Sequence, residues 1–176
     1  MREVLEARRV TLGPKHPDAL TSMGNLAQLL QDQGRLDEAK PLMLEMLEGC
    51  RATLGPKHPD TLACMSNLVG LLRSQGKLDE AMSLTLEVLE ARCATLGPKH
   101  PESLKCAHSL ADLFRAQGRA AEAEALYRDA LAGMRSALGD AHPDTQRAAQ
   151  KLLAHLLAQG KHREARELKG ALARGK

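Results

Sequence analysis

Apolar side chains at Leu20, Met23, Leu26, Ala27 and Leu30 recur at steps of three and four. That spacing places them on one face of a helix, predicted over residues 17–33. Gly34 follows Gln33, and the same Gln-Gly pair returns at Gly76, Gly118 and Gly160, where a left-handed residue is expected to end a helix. A second stripe, Ala39, Leu42, Met43, Met46 and Leu47, predicts a partner helix over 36–53, closed by Leu-Gly-Pro. Pro41 falls within its first turn or so, where a missing amide hydrogen costs least, and predicts at most a slight kink.

This helix pair repeats. The string Leu-Gly-Pro-Lys-His-Pro-Asp begins at Leu12 and at Leu54, returns with Glu102 as its acid from Leu96, and survives in diverged form from Leu138. The period is 42 residues, and 13–54 and 55–96 agree at 26 of 42 positions. Two helices per unit at this period fit an alpha solenoid, with HEAT, armadillo or propeller units as formal alternatives. Composition removes the propeller. Ile and Trp are absent, Val occurs four times, and Phe114 and Tyr127 are the only aromatic rings besides histidine, so strands lack their usual material.

The stretch from Asn25 to Ala39 carries a Leu followed by a small residue (Leu26-Ala27), a helix-closing Gly34, and an Ala five residues later. It resembles the tetratricopeptide repeat, in which that Ala lies where the two helices cross closely. Ala39, Ala81, Ala123 and Ala165 hold the position in all four units. The 42-residue period with Leu-Gly-Pro-x-His-Pro-Asp between units is similar to the longer variant found in kinesin light chains and nephrocystin-like proteins. The resemblance implies an all-α fold, an alpha-alpha superhelix of about four helix pairs plus one leading helix. The expected organisation is a single repeat domain over 1–176: the second helix of a truncated unit at 1–12, then units at 13–54, 55–96, 97–138 and 139–176, the last including a cap.

In the family so resembled, first helices line a groove and hold an extended peptide. The matching positions here are Thr21, Asn25, Gln28 and Gln31, then Ser66, Asn67, Gly70 and Arg73. The third unit offers Lys105, His108, Ser109, Asp112 and Arg115, and the fourth Arg147, Gln150 and Lys151. Asn25 and Asn67 match an Asn that bonds the ligand backbone, whereas Ser109 and Lys151 depart from it. The implied function is a non-enzymatic protein-interaction scaffold for linear peptides. The competing reading is a structural subunit of a larger assembly, contacting its partners through its ends and convex surface.

Charge refines the first reading. Net charge is −2 over 13–54, −1 over 55–96, +1 over 97–138 and +4 over 139–176. Lys105, Arg115, Arg147 and Lys151 share the expected groove with only Asp112 counted against them, which favours an acidic ligand in the C-terminal half. A total of +3 with no aromatic stacking platforms does not predict a nucleic-acid partner. No uncharged apolar run reaches membrane-spanning length, and no secretory leader is recognised at the start, so a cytoplasmic protein is expected.

Other chemistry finds little support. His-Pro-Asp also occurs in J-domain co-chaperones, but once per domain; here it stands at 16–18, 58–60 and 142–144, with His-Pro-Glu in the third unit, and reads as a helix start, with Pro17 in the first turn and Asp18 beside the positive helix end. Equivalent histidines on successive units stand on the order of 10 Å apart by helix packing, too far for one metal ion, and neither a metal nor a cofactor is expected. Cys50, Cys64, Cys93 and Cys106 form no Cys-x-x-Cys pair and read as reduced, partly buried thiols.

The ends carry two further expectations. Residues 1–12 match 85–96 at eight of twelve positions, so the chain opens in a second helix without its partner and is expected to be a piece of a longer array. Val4, Leu5 and Leu12 should then lose cover and leave an apolar edge suited to end-to-end self-association. The last helix, with Arg163, Arg166, Lys169 and Arg174 around a narrow Ala165, Leu168, Leu172 stripe, reads as a solvent-facing cap.

Overall fold

The structure, a computed structural model, describes residues 1–174. Side chains are described as far as Leu172, so Arg174 of the expected cap lies outside them. Nine helices form the described part: α1 (Arg2–Leu12), α2 (Pro17–Asp32), α3 (Leu36–Leu54), α4 (Pro59–Ser74), α5 (Leu78–Leu96), α6 (Pro101–Ala116), α7 (Ala120–Leu138), α8 (Pro143–Ala158) and α9 (His162–Arg174). The helix pairs of the sequence reading are all present, with ends shifted by a residue.

The starts of α2, α4, α6 and α8 follow from one motif. His16 Nδ1 accepts the backbone N–H of Asp18 at 3.2 Å, and His58, His100 and His142 do the same for Asp60, Glu102 and Asp144. The imidazole thus serves as the N-cap acceptor that Ser or Asp usually supplies. Proline occupies the first helical position in each case. The far end of α2 closes at Gly34, whose φ of 73° few other residues adopt. There the Arg35 N–H reaches Leu30 O at 2.8 Å and the Gly34 N–H reaches Gln31 O at 2.9 Å, which satisfies two orphan carbonyls in one turn.

Contacts divide the molecule into two compact units, Met1–Val88 and Leu89 onward, with α5 running through the boundary. In the first unit α1 packs on α2, α2 on α3 and α3 on α4. Leu20, Met23, Leu26, Ala27 and Leu30 of α2 are buried, as are Ala39, Met43, Met46 and Leu47 of α3; Leu42 is half-buried. A Cβ at Gly49 of α3 would come within 2.5 Å of the Leu20 side chain, so this glycine permits the close approach. Pro41 is accommodated inside α3, which continues past it.

The second unit packs α6 on α7, α7 on α8 and α8 on α9. Its core gathers Leu104, Ala111, Tyr127, Leu131, Met134, Leu152 and Leu156, with Leu168 and Leu172 of α9 against it. Ala39, Ala81, Ala123 and Ala165 are all at or near zero exposure. Arg163, Arg166 and Lys169 of α9 are exposed, whereas Ala165 is buried.

The edge formed by α1 corrects one expectation. Leu5 is 2% exposed, covered rather than stripped, whereas Val4 at 50% and Leu12 at 45% are open, and Val10 is open as well. Leu5 points to the α2 side of α1, where a wall exists: it borders a cavity with Leu26 and Leu30. Val4 corresponds by the repeat to Val88, which is 1% exposed.

Ion pairs between second helices are a feature that the repeat pattern does not announce. Arg2 meets Glu38 at 2.6 Å and Arg9 meets Glu45 at 2.5 Å between α1 and α3. Arg51–Glu87 at 2.7 Å and Lys40–Glu80 at 2.9 Å join α3 to α5. In the second unit Arg128–Glu164 at 2.5 Å joins α7 to α9, and Lys161, just before α9, meets Glu124 of α7 at 2.8 Å. Most of these groups are well exposed, so water screens them and each adds little to stability.

Candidate functional site

In the first unit the expected ligand-facing residues lie along α2 and α4. Thr21, Asn25 and Gln28 are exposed and Gln31 is half-buried; on α4, Asn67, Gly70 and Arg73 are exposed and Ser66 is half-buried. Several already have intrahelical partners. Thr21 donates to Pro17 O at 2.9 Å, Gln28 to Asp32 Oδ1 at 2.9 Å, and Ser66 to Leu62 O at 2.8 Å. Asn25 and Asn67, four and one residues removed from these hydroxyls, present amides that can both donate and accept.

The second unit gathers its predicted residues into a denser arrangement on α6 and α8. Lys151 of α8 pairs with Asp112 of α6, and the Tyr127 hydroxyl of α7 donates to the same carboxylate at 2.5 Å. The Tyr127 ring stands 4.9 Å from that of His108 and 5.5 Å from that of His155. Lys105 bridges Glu102 at 3.0 Å and Asp144 at 2.8 Å, and Arg147 reaches Asp144 at 3.5 Å. Gln150 and Lys151 are exposed, as is the side chain of Arg147, while Ser109 is half-buried and donates to Lys105 O. Arg115 is exposed near the end of α6.

Two of the expected ligand-facing residues are instead inside. Asp112 is 3% and His108 7% exposed, because α7 and α8 close over that part of α6. The charge count also changes: Glu102 and Asp144 oppose the basic residues along with Asp112. Both acids belong to the helix-start motif, and their three-residue steps to Lys105 and Arg147 are visible as a sequence signal. Sequence reasoning misses Tyr127 and His155. Tyr127 lies on a second helix, outside the set of first-helix positions; its being the only tyrosine is the available cue.

Electrostatics follow from this packing. Burial pulls the Asp112 carboxyl upward, but the hydrogen bonds from Lys151 and Tyr127 outweigh it and hold the group below the ordinary carboxylate range. Burial, and then the bond to Asp112, push the Tyr127 phenol up. His108 is pushed down by burial, partly offset by Asp112. Lys105 is held up by its bonds to Asp144 and Glu102, and Asp144 is held down by Lys105. Asp112 and Asp144 therefore stay ionised, and His108 neutral, near pH 7.

Two cavities open beside these residues. One of about 230 Å³ is bordered by Lys105, His108, Ser109, Asp144, Arg147 and Lys151. The other, about 210 Å³, is bordered by Asp112, Arg115, Tyr127, Lys151 and His155. His108 Nε2 and His155 Nδ1 are buried without hydrogen-bond partners, so each cavity wall includes an imidazole with an unused nitrogen. His155 spends its other nitrogen on Ala120 O at 3.1 Å. Such a surface can orient polar groups, but the buried carboxylate within it, Asp112, is already engaged by Lys151 and Tyr127.

Comparison with known proteins agrees with the helix-pair geometry. The family model for the tetratricopeptide repeat matches residues 1–45, 25–94, 70–136 and 106–169. The crystal structure of a kinesin light chain-like protein from Podosopora anserina, with nearly identical TPR-like repeats, superposes with a TM-score of 0.81 at 29% identity, covering 98% of this chain and 82% of that one. A point-substituted form of that protein gives 0.83 at 28% identity, with coverage of 98% and 81%. BtubC (BKLC) from P. vanneervenii shares the fold, with a TM-score of 0.79 at 22% identity over 98% of this chain and 69% of its own. Among curated proteins, none matches the chain by sequence.

Proposed function

Because the chain belongs to the tetratricopeptide repeat family, a family of protein-interaction scaffolds, we propose that it holds a linear, acidic peptide segment against its first helices. The observation that carries this reading is the face of α6 and α8. Arg147, with its side chain 69% exposed, and Arg115 stand beside two cavities whose remaining charges are fixed by internal pairs. Lys105 and Lys151 are positioned by Asp144 and Asp112, so a ligand meets a pre-formed set of donors and loses little entropy in ordering them. The acids weaken the attraction to an anionic segment, to which the exposed Arg147 and Arg115, the latter hydrogen-bonded to the Tyr127 hydroxyl, still present positive charge. In the first unit, the exposed amides of Asn25 and Asn67 suit the backbone of an extended peptide.

A second reading has its own observation. Val4, Val10 and Leu12 are apolar side chains left open at separate places around α1, as expected if the chain meets other proteins through its end as a structural subunit. Reversing Arg115 and Arg147 to Glu separates the two. A peptide receptor should lose affinity for acidic peptides well beyond twofold, with helicity and melting temperature nearly unchanged, because both side chains are at the surface. If the doubly reversed protein keeps every partner recovered by the parent in a pull-down, the structural-subunit reading takes precedence.

A further inference from the structure

Cys50 of α3 and Cys64 of α4 place their sulfurs 3.3 Å apart, both as free thiols. The contact arises from the repeat: residues 14 apart at this register join a second helix to the next first helix. At the equivalent place Arg8 donates to Ser22 Oγ at 2.7 Å, and the later units carry Arg92 with Cys106 and Met134 with Ala148. Of these four places, only the one between α3 and α4 has a cysteine on both sides. The thiols are 5% and 8% exposed, yet both border an apolar cavity of about 310 Å³ together with Leu20, Thr21, Met46 and Asp60. A molecule the size of hydrogen peroxide can therefore reach them without unfolding either helix.

We propose that Cys50 and Cys64 are an oxidation site, converted by a hydroperoxide to an intramolecular disulfide that staples α3 to α4 between the first two full repeats. One sulfur attacks a peroxide oxygen and breaks the O–O bond, giving a sulfenic acid and one water. The second sulfur then displaces the sulfenic hydroxyl, which leaves as a second water with the second thiol's proton. Two thiols lose two electrons in total and hydrogen peroxide accepts them. The sulfurs need to approach only about 1.3 Å closer than they stand to reach bonding distance, a change that side-chain rotation can absorb. Burial, together with the neighbouring Cys50 sulfur, pushes the Cys64 thiol up to about 12, which makes its attack on an oxidant slow. Cys106, which faces Arg92 at the equivalent register, is pushed up to about 11 by burial.

The test treats the full chain with hydrogen peroxide, blocks remaining thiols with N-ethylmaleimide in denaturant, and digests without reduction for mass spectrometry. The expected product joins the Cys50 and Cys64 peptides and is lost on treatment with dithiothreitol. It should raise Tm by about 5–10 °C, the size expected from closing a short loop in a chain of this length. Cys50→Ser and Cys64→Ser should each abolish both the linked peptide and the Tm rise. Recovery of both cysteines as alkylated thiols or as separate sulfinic acids, while Cys93 oxidises, would overturn the proposal, as would linkage found only between different chains.

Discussion

His108 shows how burial converts a surface expectation into a property of the core. Its place on α6 suggests a ligand-facing imidazole, but α8 covers it and desolvation pushes its protonation to lower pH. The unfolded chain, with an ordinary histidine value near 6.5, binds that proton more readily than the folded one. Stability is therefore fully present above about pH 6.5 and falls as the pH drops toward the lower folded value. Melting curves from about pH 7.5 to 5 should show Tm falling in the parent, with a shallower fall in His108→Gln. Identical slopes would mean that this imidazole is not the neutral core group described. Asp112 is shifted in the same direction by the opposite cause, stabilisation of its charged form by Lys151 and Tyr127: its held-down carboxyl contributes stability above the ordinary carboxylate range and loses it as pH falls through the folded value.

Helix starts offer the cleanest test among the elements. His58 caps α4 through Nδ1, so His58→Ala should cost about 1 kcal/mol, while His58→Asn, which keeps a side-chain acceptor, should recover most of it. Chemical denaturation of the three proteins measures the difference, and an equally stable alanine variant would remove the capping role. Helix crossings make a steeper demand. Ala81 has zero exposure, and Ala81→Leu should overpack its site by roughly 1–3 kcal/mol; an unchanged melting temperature would place the crossing elsewhere. The capping and crossing residues are legible because each recurs at a fixed position in every unit, and a residue that returns every 42 positions answers a local geometric need.

For the molecule as a whole, charge rises along the chain from −2 in the first full unit to +4 over 139–176, and no helix among the described residues is long and apolar enough to cross a membrane. Binding of an acidic peptide, measured by fluorescence anisotropy, should weaken as ionic strength is raised from about 0.05 to 0.5 M, because screening shortens to within a side-chain length over that range. Arg115 and Arg147 are the exposed contributors, so the doubly reversed variant should lose most of the salt slope along with the affinity. A salt-independent affinity would argue that apolar contacts, rather than these cations, hold the peptide.

The sequence by itself determined the helix pairs, their ends and their buried stripes, because these depend on contacts within a few turns and on one short motif copied along the chain. It also placed Thr21, Asn25, Gln28, Asn67, Gly70 and Arg73 on the exposed side of α2 and α4, where a periodic pattern tells one helix face from another, while Gln31 and Ser66 are half-buried. It could not settle α6, since whether Asp112 and His108 meet solvent depends on Tyr127 and Lys151, which lie 15 and 39 residues beyond Asp112. The same holds for the Arg–Glu pairs spaced 36 residues apart and for the 3.3 Å approach of Cys50 to Cys64. Only tertiary structure decides such pairings, because they are set by which helix faces come together rather than by the conformational preference of any one segment.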